Sequence, residues 1–300
     1  MHFMYYAPLK QGDTLGIAAP AGSFDREKFD LGIAQLKKLG FQVHFQADLF
    51  EKNRYLAGSD ERKISELENL FENPKIKAIL FARGGYGCQK ILPKLNYKKI
   101  SKHPKPVIGY SDATPLLEQL HEKSGIPIFY GPMVTHLAAE PSAETLESLR
   151  NTLIGKPATY LQHSGIKILK EGSAKGMGVG GCLSLISTSL GTSYQPKWNK
   201  TVLFLEDTNE EAYSLDRMLT QLKHSGLLSR CKALCFGTLS APTQTEEIIF
   251  SMLKDVLNDF PGPILTGLPV GHQRHFITVP LGVQWDVDTA KKQVVFHYDR

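Results

Sequence analysis

Residues 105–120 read KPVIGYSDATPLLEQL, and their pattern is the clearest indication of the fold class. The apolar run Val107–Tyr110 is typical of a strand buried on both faces, and after Ser111-Asp112 the spacing becomes that of a helix, Ala113–Leu120. Asp112 is placed to cap that helix, and Pro115 falls in its first turn, where no intrahelical donor is required. The sequence therefore predicts a buried strand that runs directly into a helix, with a serine at the corner.

The same alternation of apolar runs and amphipathic stretches extends over the first half of the chain. Apolar runs occur at Thr14–Ala19, Gln42–Phe45 and Ala78–Ala82, with helical patterns at Phe29–Leu39 and Asp60–Phe71. Strands that alternate with helices form parallel sheets covered on both faces. We therefore expect an N-terminal doubly wound parallel-sheet domain over residues 1–155.

A second α/β domain is predicted over residues 166–300. The helix-like segment Glu144–Leu153 closes the first domain, and residues 156–165 are interpreted as a linker because they are polar and contain glycine. Strands are then predicted at Thr201–Leu205, Ala233–Thr238 and Gln293–His297, and helices at Tyr213–Ser225 and Thr245–Asn258. The alternation again indicates the α/β class.

Composition excludes several classes of protein. The chain has 300 residues, 42% hydrophobic and 22% charged, as in an average folded protein. No window approaches the roughly 20 apolar residues of a membrane span, and no signal-peptide pattern begins the chain, so we expect a cytoplasmic protein with no membrane partner. The net charge of +5 is mild and no aromatic residues interleave with the lysines, so no nucleic-acid partner is expected.

Ser111 has the position expected of a nucleophile. A hydroxyl at a strand-to-helix corner projects from the carboxyl edge of the sheet, where the first helical amides can receive an oxyanion. A second corner, Arg83–Gly87, ends the preceding buried strand, and its glycines permit a ligand to approach the backbone. There, Arg83 can pair with a substrate carboxylate, and the amide of Gly84 or Gly85 can donate to the oxyanion. A helix cap and a tight turn fit these two segments equally well.

A serine nucleophile requires a base and a carboxylate that orients it. His272 follows a glycine in an irregular segment, and His275 is its rival three residues later. Glu206 and Asp207 end the apolar run 201–205, at the sheet edge where functional groups of α/β proteins converge. The two histidines have no carboxylate at metal-ligand spacing, so no metal is assigned.

A dinucleotide-binding loop is the competing interpretation. Residues 176–181 read GMGVGG and match GxGxxG, with residues 182–190 as the following helix and Glu206 as the ribose ligand. That helix is short, and polar residues 170–175 separate the glycines from the preceding apolar run. A nucleotide-binding protein therefore ranks second.

Six motifs in sequence order resemble those of the LD-carboxypeptidases, serine peptidase family S66, which includes muramoyltetrapeptide carboxypeptidases and microcin C self-immunity proteins. They are Gly12-Asp13-Thr14 with Ala19-Pro20-Ala21-Gly22, Arg83-Gly84-Gly85-Tyr86-Gly87, Gly109-Tyr110-Ser111-Asp112, Leu205-Glu206-Asp207, Tyr213-Ser214-Leu215-Asp216-Arg217 and Gly271-His272. The resemblance covers nearly the whole chain. One departure is Cys182, where relatives commonly have asparagine, and it bears on substrate recognition.

The resemblance implies a catalytic triad of Ser111, Glu206 and His272. The serine then comes from the first domain and the acid and base from the second, with the active site in the interdomain cleft. Similar enzymes are homodimers that remove the terminal D-alanine from murein tetrapeptides in cytoplasmic cell-wall recycling, and no metal or organic cofactor is implied. The microcin C branch makes peptidyl or aminoacyl nucleotides the alternative substrates.

The positions of the two corners also suggest the groups around the triad. We expect the amides of Asp112 and Gly85 to bind the developing oxyanion. Arg83, Gly84 and Tyr86 are expected to contact the substrate, and Arg83 is the candidate partner of its free carboxylate.

Overall fold

The computed structural model describes residues 6–298, which form two compact units. The first contains residues 6–158 and 274–280, and the second contains residues 159–273 and 281–298. Each unit is an α/β structure with its own sheet, as the sequence predicted. Within residues 6–298, no helix is both long enough and apolar enough to cross a membrane.

The first unit contains a six-stranded sheet with helices in the connections. Its strands are β1 (Thr14–Ala18), β2 (Gln42–His44), β3 (Ile76–Phe81), β4 (Val107–Gly109), β5 (Ile128–Tyr130) and β12 (Val279–Leu281). Its helices are α1 (Arg26–Lys38), α2 (Asp60–Glu72), α3 (Cys88–Ile91), α4 (Tyr97–Ile100), α5 (Thr114–Ser124) and α6 (Ala143–Leu153). The strand order is β12-β5-β4-β3-β1-β2, and strands β1 to β5 pair in parallel.

This strand order creates a switch point beside β1. The chain moves from β1 outward to β2 and then returns to β3 on the other side, which is the doubly wound arrangement. In such sheets ligands bind outside the carboxyl ends of the strands next to the reversal. Here β3 ends at the glycines of residues 83–87, and β4 ends at Ser111.

The second unit is a mixed sheet of eight strands in the order β6-β14-β13-β8-β9-β10-β11-β7 when numbered along the chain. They are β6 (Tyr160–Gln162), β7 (Lys167–Lys170), β8 (Ser173–Cys182), β9 (Thr201–Asp207), β10 (Cys231–Leu239), β11 (Ile264–Thr266), β13 (Gln284–Asp288) and β14 (Gln293–His297). The central strands β8 to β11 are parallel, and the flanking pairs are antiparallel. Its helices are α7 (Leu183–Ser189), α8 (Ala212–His224) and α9 (Glu246–Val256).

The glycines of residues 176–181 lie inside strand β8 rather than in a loop before a helix. A Cβ at Gly178 would lie 2.1 Å from Nε1 of Trp285, and one at Gly180 would lie 2.0 Å from the carbonyl oxygen of Phe204. Close packing within the sheet therefore explains these glycines. The dinucleotide-binding interpretation is wrong, because a phosphate loop requires these amides to face a ligand at a helix N-terminus.

Candidate active site

Ser111 occupies a backbone conformation that non-glycine residues rarely adopt. Its φ is +60°, and the 3₁₀ turn Ser111–Ala113 leads directly into α5. Such a conformation costs about 1–3 kcal/mol and persists only where its surroundings hold it. The amide of Ser111 donates to Oη of Tyr130 at 3.0 Å, and Oγ1 of Thr114 donates to its carbonyl oxygen at 2.7 Å. This is a strained strand-to-helix turn, the backbone geometry that nucleophile elbows have.

Asp112 does not cap α5, so that prediction is wrong. The N-cap residue is Ala113, which makes no side-chain cap. Asp112 is wholly buried instead, and its Oδ2 accepts the amide of Cys88 at 2.9 Å. Its Oδ1 has no hydrogen-bond partner within residues 6–298. Burial raises the pKa of Asp112 to about 6, although hydrogen bonds from Cys88 and the charge of Lys63 act in the opposite direction.

The glycine loop, residues 83–87, lies against Ser111. A Cβ on Gly84 would come within 3.1 Å of both Cβ and Oγ of Ser111. The carbonyl oxygen of Gly84 accepts the amide of Gly22 at 3.1 Å. Gly85 has a φ of +102°, which a side chain would strain. The structure thus brings Gly84 next to Ser111, and Gly85 follows it in the same loop, against Gly22.

Arg83 and Tyr86 are exposed members of the same loop. Nη1 of Arg83 donates a hydrogen bond to the carbonyl oxygen of Ser23. A guanidinium has five N–H donors, so this bond leaves others able to bind a carboxylate. The ring of Tyr86 is tilted against that of Tyr55, with 6.0 Å between the ring centroids.

Glu206 and His272 form a hydrogen-bonded pair in the second unit. Glu206 is wholly buried at the end of β9, and its Oε2 lies 2.8 Å from Nδ1 of His272. The same oxygen accepts the backbone amide of His272 at 3.2 Å. A carboxylate at Nδ1 fixes the proton on that nitrogen, which leaves Nε2 with the lone pair that a general base requires.

Glycine at position 271 is required for this pair. Gly271 has a φ of +113°, and a Cβ there would lie 2.4 Å from Oε2 of Glu206. We expect Gly271→Ala to displace the carboxylate, reducing kcat by about 10²-fold, the loss typical of a 1 Å misplacement. Gly191→Ala is the matched control, because Gly191 also has a positive φ (+79°) but nothing lies within 4 Å of its added Cβ.

Both variants are to be compared by steady-state kinetics and thermal unfolding. Each is expected to lose stability, because alanine is strained at positive φ. Only Gly271→Ala is expected to lose kcat. Equal kcat values for the two variants would contradict the assigned role of the Glu206 carboxylate.

The charge of Glu206 also determines the pH range in which His272 is neutral. Burial lowers the pKa of His272, but the hydrogen bond and charge of Glu206 outweigh it, so the pKa is raised above its usual value of 6.5. A general base must be neutral, and activity is therefore expected to fall as the pH drops through this raised pKa. In the profile of kcat/KM against pH, the acidic midpoint should lie above 6.5.

Glu206→Gln removes that charge while the burial remains. The acidic midpoint is expected to move to lower pH, and kcat is expected to fall by about 10⁴-fold because the histidine tautomer is no longer fixed. A wild-type midpoint below 6.5, or one that Glu206→Gln leaves in place, would contradict this assignment.

His275, the rival base, belongs to the first unit. Its Nδ1 lies 3.1 Å from Oγ of Ser142, the N-cap residue of α6, and 3.8 Å from Oε2 of Glu144. These contacts give His275 a structural role at a helix start. Among residues 6–298, no three His, Cys, Asp or Glu side chains cluster as a metal site would require.

Cys182 is buried at the end of β8. Its Sγ lies 3.5 Å from Oδ2 of Asp207 and 3.2 Å from Oγ of Ser184. Oδ2 of Asp207 also accepts the amide of Ser184 at 2.7 Å, near the start of α7. The thiol therefore lies within a polar cluster beside Glu206. Burial raises the pKa of Cys182 well above its usual range.

The predicted site residues thus fall into two groups, one in each unit. Ser111, Asp112 and the glycine loop lie together in the first unit, and Glu206 and His272 lie together in the second. Tyr130 and Thr114, which hold the backbone of Ser111, were not predicted from the sequence. Tyr130 ends a short apolar strand, and nothing in that pattern distinguishes it from an ordinary core residue.

Two family descriptions match the chain, one in each half. The LD-carboxypeptidase N-terminal domain matches residues 15–131, which include Ser111. The LD-carboxypeptidase C-terminal domain matches residues 175–287, which include Glu206 and His272. The chain belongs to the LD-carboxypeptidase family S66. This LD-carboxypeptidase is a serine-type peptidase, as its motifs indicated.

Relatives of this LD-carboxypeptidase come from both branches of the family. A probable murein peptide carboxypeptidase of Bacillus subtilis is 35% identical over 296 residues, covering 96% of this chain and 92% of that protein. The murein tetrapeptide carboxypeptidase of Pseudomonas aeruginosa is 30% identical over 276 residues, covering 86% and 87%. The crystal structure of an MccF-like protein from Bacillus anthracis has a TM-score of 0.90 and 25% identity, covering 99% of this chain and 100% of that one.

Proposed function

We propose that this enzyme removes the terminal D-alanine from murein tetrapeptides, through an acyl-enzyme formed on Ser111. The observation that carries the proposal is the buried Glu206 carboxylate, which lies 2.8 Å from Nδ1 of His272 and orients that ring as a general base. The strained backbone of Ser111 adds a nucleophile at a nucleophile elbow. Murein peptide carboxypeptidases among the relatives support the substrate class.

The reaction has two steps. In the first, Oγ of Ser111 attacks the carbonyl carbon of the diamino acid while Nε2 of His272 takes the hydroxyl proton. The C–N bond then breaks, His272 returns the proton to the amine of D-alanine, and the tripeptide remains as an ester on Ser111. In the second step water attacks the ester, His272 again accepts a proton, and the tripeptide acid leaves as Oγ is reprotonated.

Two backbone amides complete the proposed machinery. Those of Asp112 and Gly85 bind the oxyanion that develops on the carbonyl oxygen, which is the term that usually contributes most to such catalysis. The mechanism requires Nε2 of His272, a residue of the second unit, to come within hydrogen-bond reach of Oγ of Ser111, a residue of the first.

Recognition of the free C-terminus is assigned to Arg83, with Gly84 and Tyr86 as further substrate contacts. Arg83 is exposed at the carboxyl end of β3 and retains donors for a bidentate carboxylate pair. The proposed role in murein recycling places the enzyme in the cytoplasm, and we propose a homodimer. Light scattering coupled to gel filtration tests the dimer, since a monomeric mass would exclude it.

A panel of substrates tests the proposed activity. It contains the tetrapeptide ending in D-alanine, its L-alanine epimer, its C-terminal amide and an aminoacyl-sulfamoyl adenylate, with products weighed by mass spectrometry. D-alanine release from the first peptide alone is the expected result. Cleavage of the adenylate alone would instead assign the enzyme to the MccF-like branch, and equal rates on acid and amide would exclude a carboxylate clamp.

A further inference from the structure

Hydrogen bonds attach the glycine loop to the rest of the first unit at both of its ends. At one end the acceptor is the side chain of Asp112, the residue after Ser111. At the first end, the carbonyl oxygen of Gly84 accepts the amide of Gly22. At the other end, Oδ2 of Asp112 accepts the amide of Cys88 at 2.9 Å. Nζ of Lys63 also approaches the carbonyl oxygen of Gly87 at 3.5 Å. Between these attachments lies Gly85, which supplies one proposed oxyanion donor.

The carboxylate of Asp112 is buried, although the turn that contains Asp112 does not require a buried carboxylate. It is wholly inaccessible, and Oδ1 has no hydrogen-bond partner within the described chain, residues 6–298. A buried carboxylate with an unpartnered oxygen costs free energy that a smaller apolar side chain would not cost. Its Oδ2 nevertheless connects the two chain segments that carry the proposed oxyanion donors, its own amide and that of Gly85.

We infer that the Asp112 side chain is a positioning residue that sets the spacing between the two oxyanion donors by binding the amide of Cys88. This inference rests on the proposed function. The backbone amide of Asp112 contacts the oxyanion, whereas its carboxylate acts only through the glycine loop. Loss of the carboxylate frees the end of the loop next to Cys88, so the amide of Gly85 shifts and binds the oxyanion less well. Arg83 and Gly84 stay attached to Ser23 and Gly22, so the substrate contacts at that end are retained.

Position 112 offers a pair of variants that separate this role from a purely structural one. Asp112→Ala removes the acceptor, and kcat is expected to fall by about 10²-fold with a much smaller change in KM, because a donor misplaced by about 1 Å is missed mainly in the transition state. Asp112→Asn keeps an oxygen that can accept the amide of Cys88, so its kcat is expected to stay within about threefold of wild type. Should Asp112→Ala not fold, Asp112→Ser replaces it, because its shorter side chain falls short of that amide.

Lys105→Met is the control for lost stability. Lys105 lies before the amino end of β4, opposite to the end at Ser111, and its Nζ donates to the carbonyl oxygens of Leu70, Phe71 and Asn73. The variant is expected to unfold at lower temperature with kcat unchanged. A fall in kcat for Asp112→Ala with wild-type kcat for Lys105→Met shows that lost stability alone does not explain the effect.

The outcomes distinguish this inference from the proposed function. Wild-type kcat in Asp112→Ala, or a 10²-fold loss in Asp112→Asn, would overturn the positioning role, provided that Ser111→Ala is inactive. Full activity in Ser111→Ala would instead overturn the proposed function itself. A rise in KM without a fall in kcat would place Asp112 in substrate binding and would also overturn the inference.

Discussion

Replacing Ser111 with alanine is expected to lower kcat on the D-alanine-terminated tetrapeptide by about 10⁶-fold, the loss seen when the nucleophile is removed from a serine triad. The variant retains the oxyanion amides and the substrate contacts, so KM should change little and a small residual rate should remain. Serine and alanine are strained to a similar extent at a φ of +60°, so the substitution should change the stability of the fold little. Stopped assays that measure released D-alanine give the rates.

Ser101→Ala is the matched control for that variant. Ser101 lies in another turn of the same unit, and its Oγ donates to the carbonyl oxygen of Lys98. Its removal is expected to leave kcat unchanged. Activity in Ser111→Ala comparable to that of Ser101→Ala would exclude Ser111 as the nucleophile.

Replacing His272 with alanine is expected to lower kcat by a similar factor of about 10⁶, because neither attack nor departure of the amine then has a proton carrier. His275→Ala is the paired variant, three residues away in sequence. It removes a contact at the start of α6, so its effect should be confined to stability. Rates and unfolding temperatures of the two variants are to be measured side by side.

One result for the two histidine variants would contradict the choice of His272 as the base. If His275→Ala loses kcat and His272→Ala retains it, the assignment of the base is reversed. The hydrogen bond from Nδ1 of His272 to Glu206 would then be structural, and the acidic limb of the pH profile would have to belong to another group.

The sequence predicted the fold class because the strands of the first sheet are buried on both faces. Five of the six residues of β3 and all three of β4 are buried, and continuous apolar runs of this kind are typical of parallel sheets. No sequence pattern of this kind predicts that residues 274–280 belong to the first unit. Strand β12 has only three residues, Val279–Leu281, and its pairing depends on contacts far away in the sequence.

Site residues that directly follow a predicted strand could be predicted from the sequence. Site residues whose role depends on tertiary contacts could not. Ser111 and Glu206 each end an apolar run, so their positions at sheet edges follow from sequence order. The choice of His272 over His275 depended on the family resemblance, and the Glu206 contact became visible only in the structure. Asp112 was expected to cap α5, but its side chain binds Cys88, 24 residues earlier, and no local pattern encodes that contact.

Identifying the residue that becomes acylated tests the proposed serine mechanism directly. An ester analogue with D-lactate in place of D-alanine has a better leaving group, so acylation should outpace deacylation and the acyl-enzyme should accumulate. After acid quenching, peptide mapping by mass spectrometry is expected to show the tripeptide acyl group on Ser111, and no adduct in Ser111→Ala. An adduct on another residue, or hydrolysis of the ester by Ser111→Ala at the wild-type rate, would exclude Ser111 as the nucleophile.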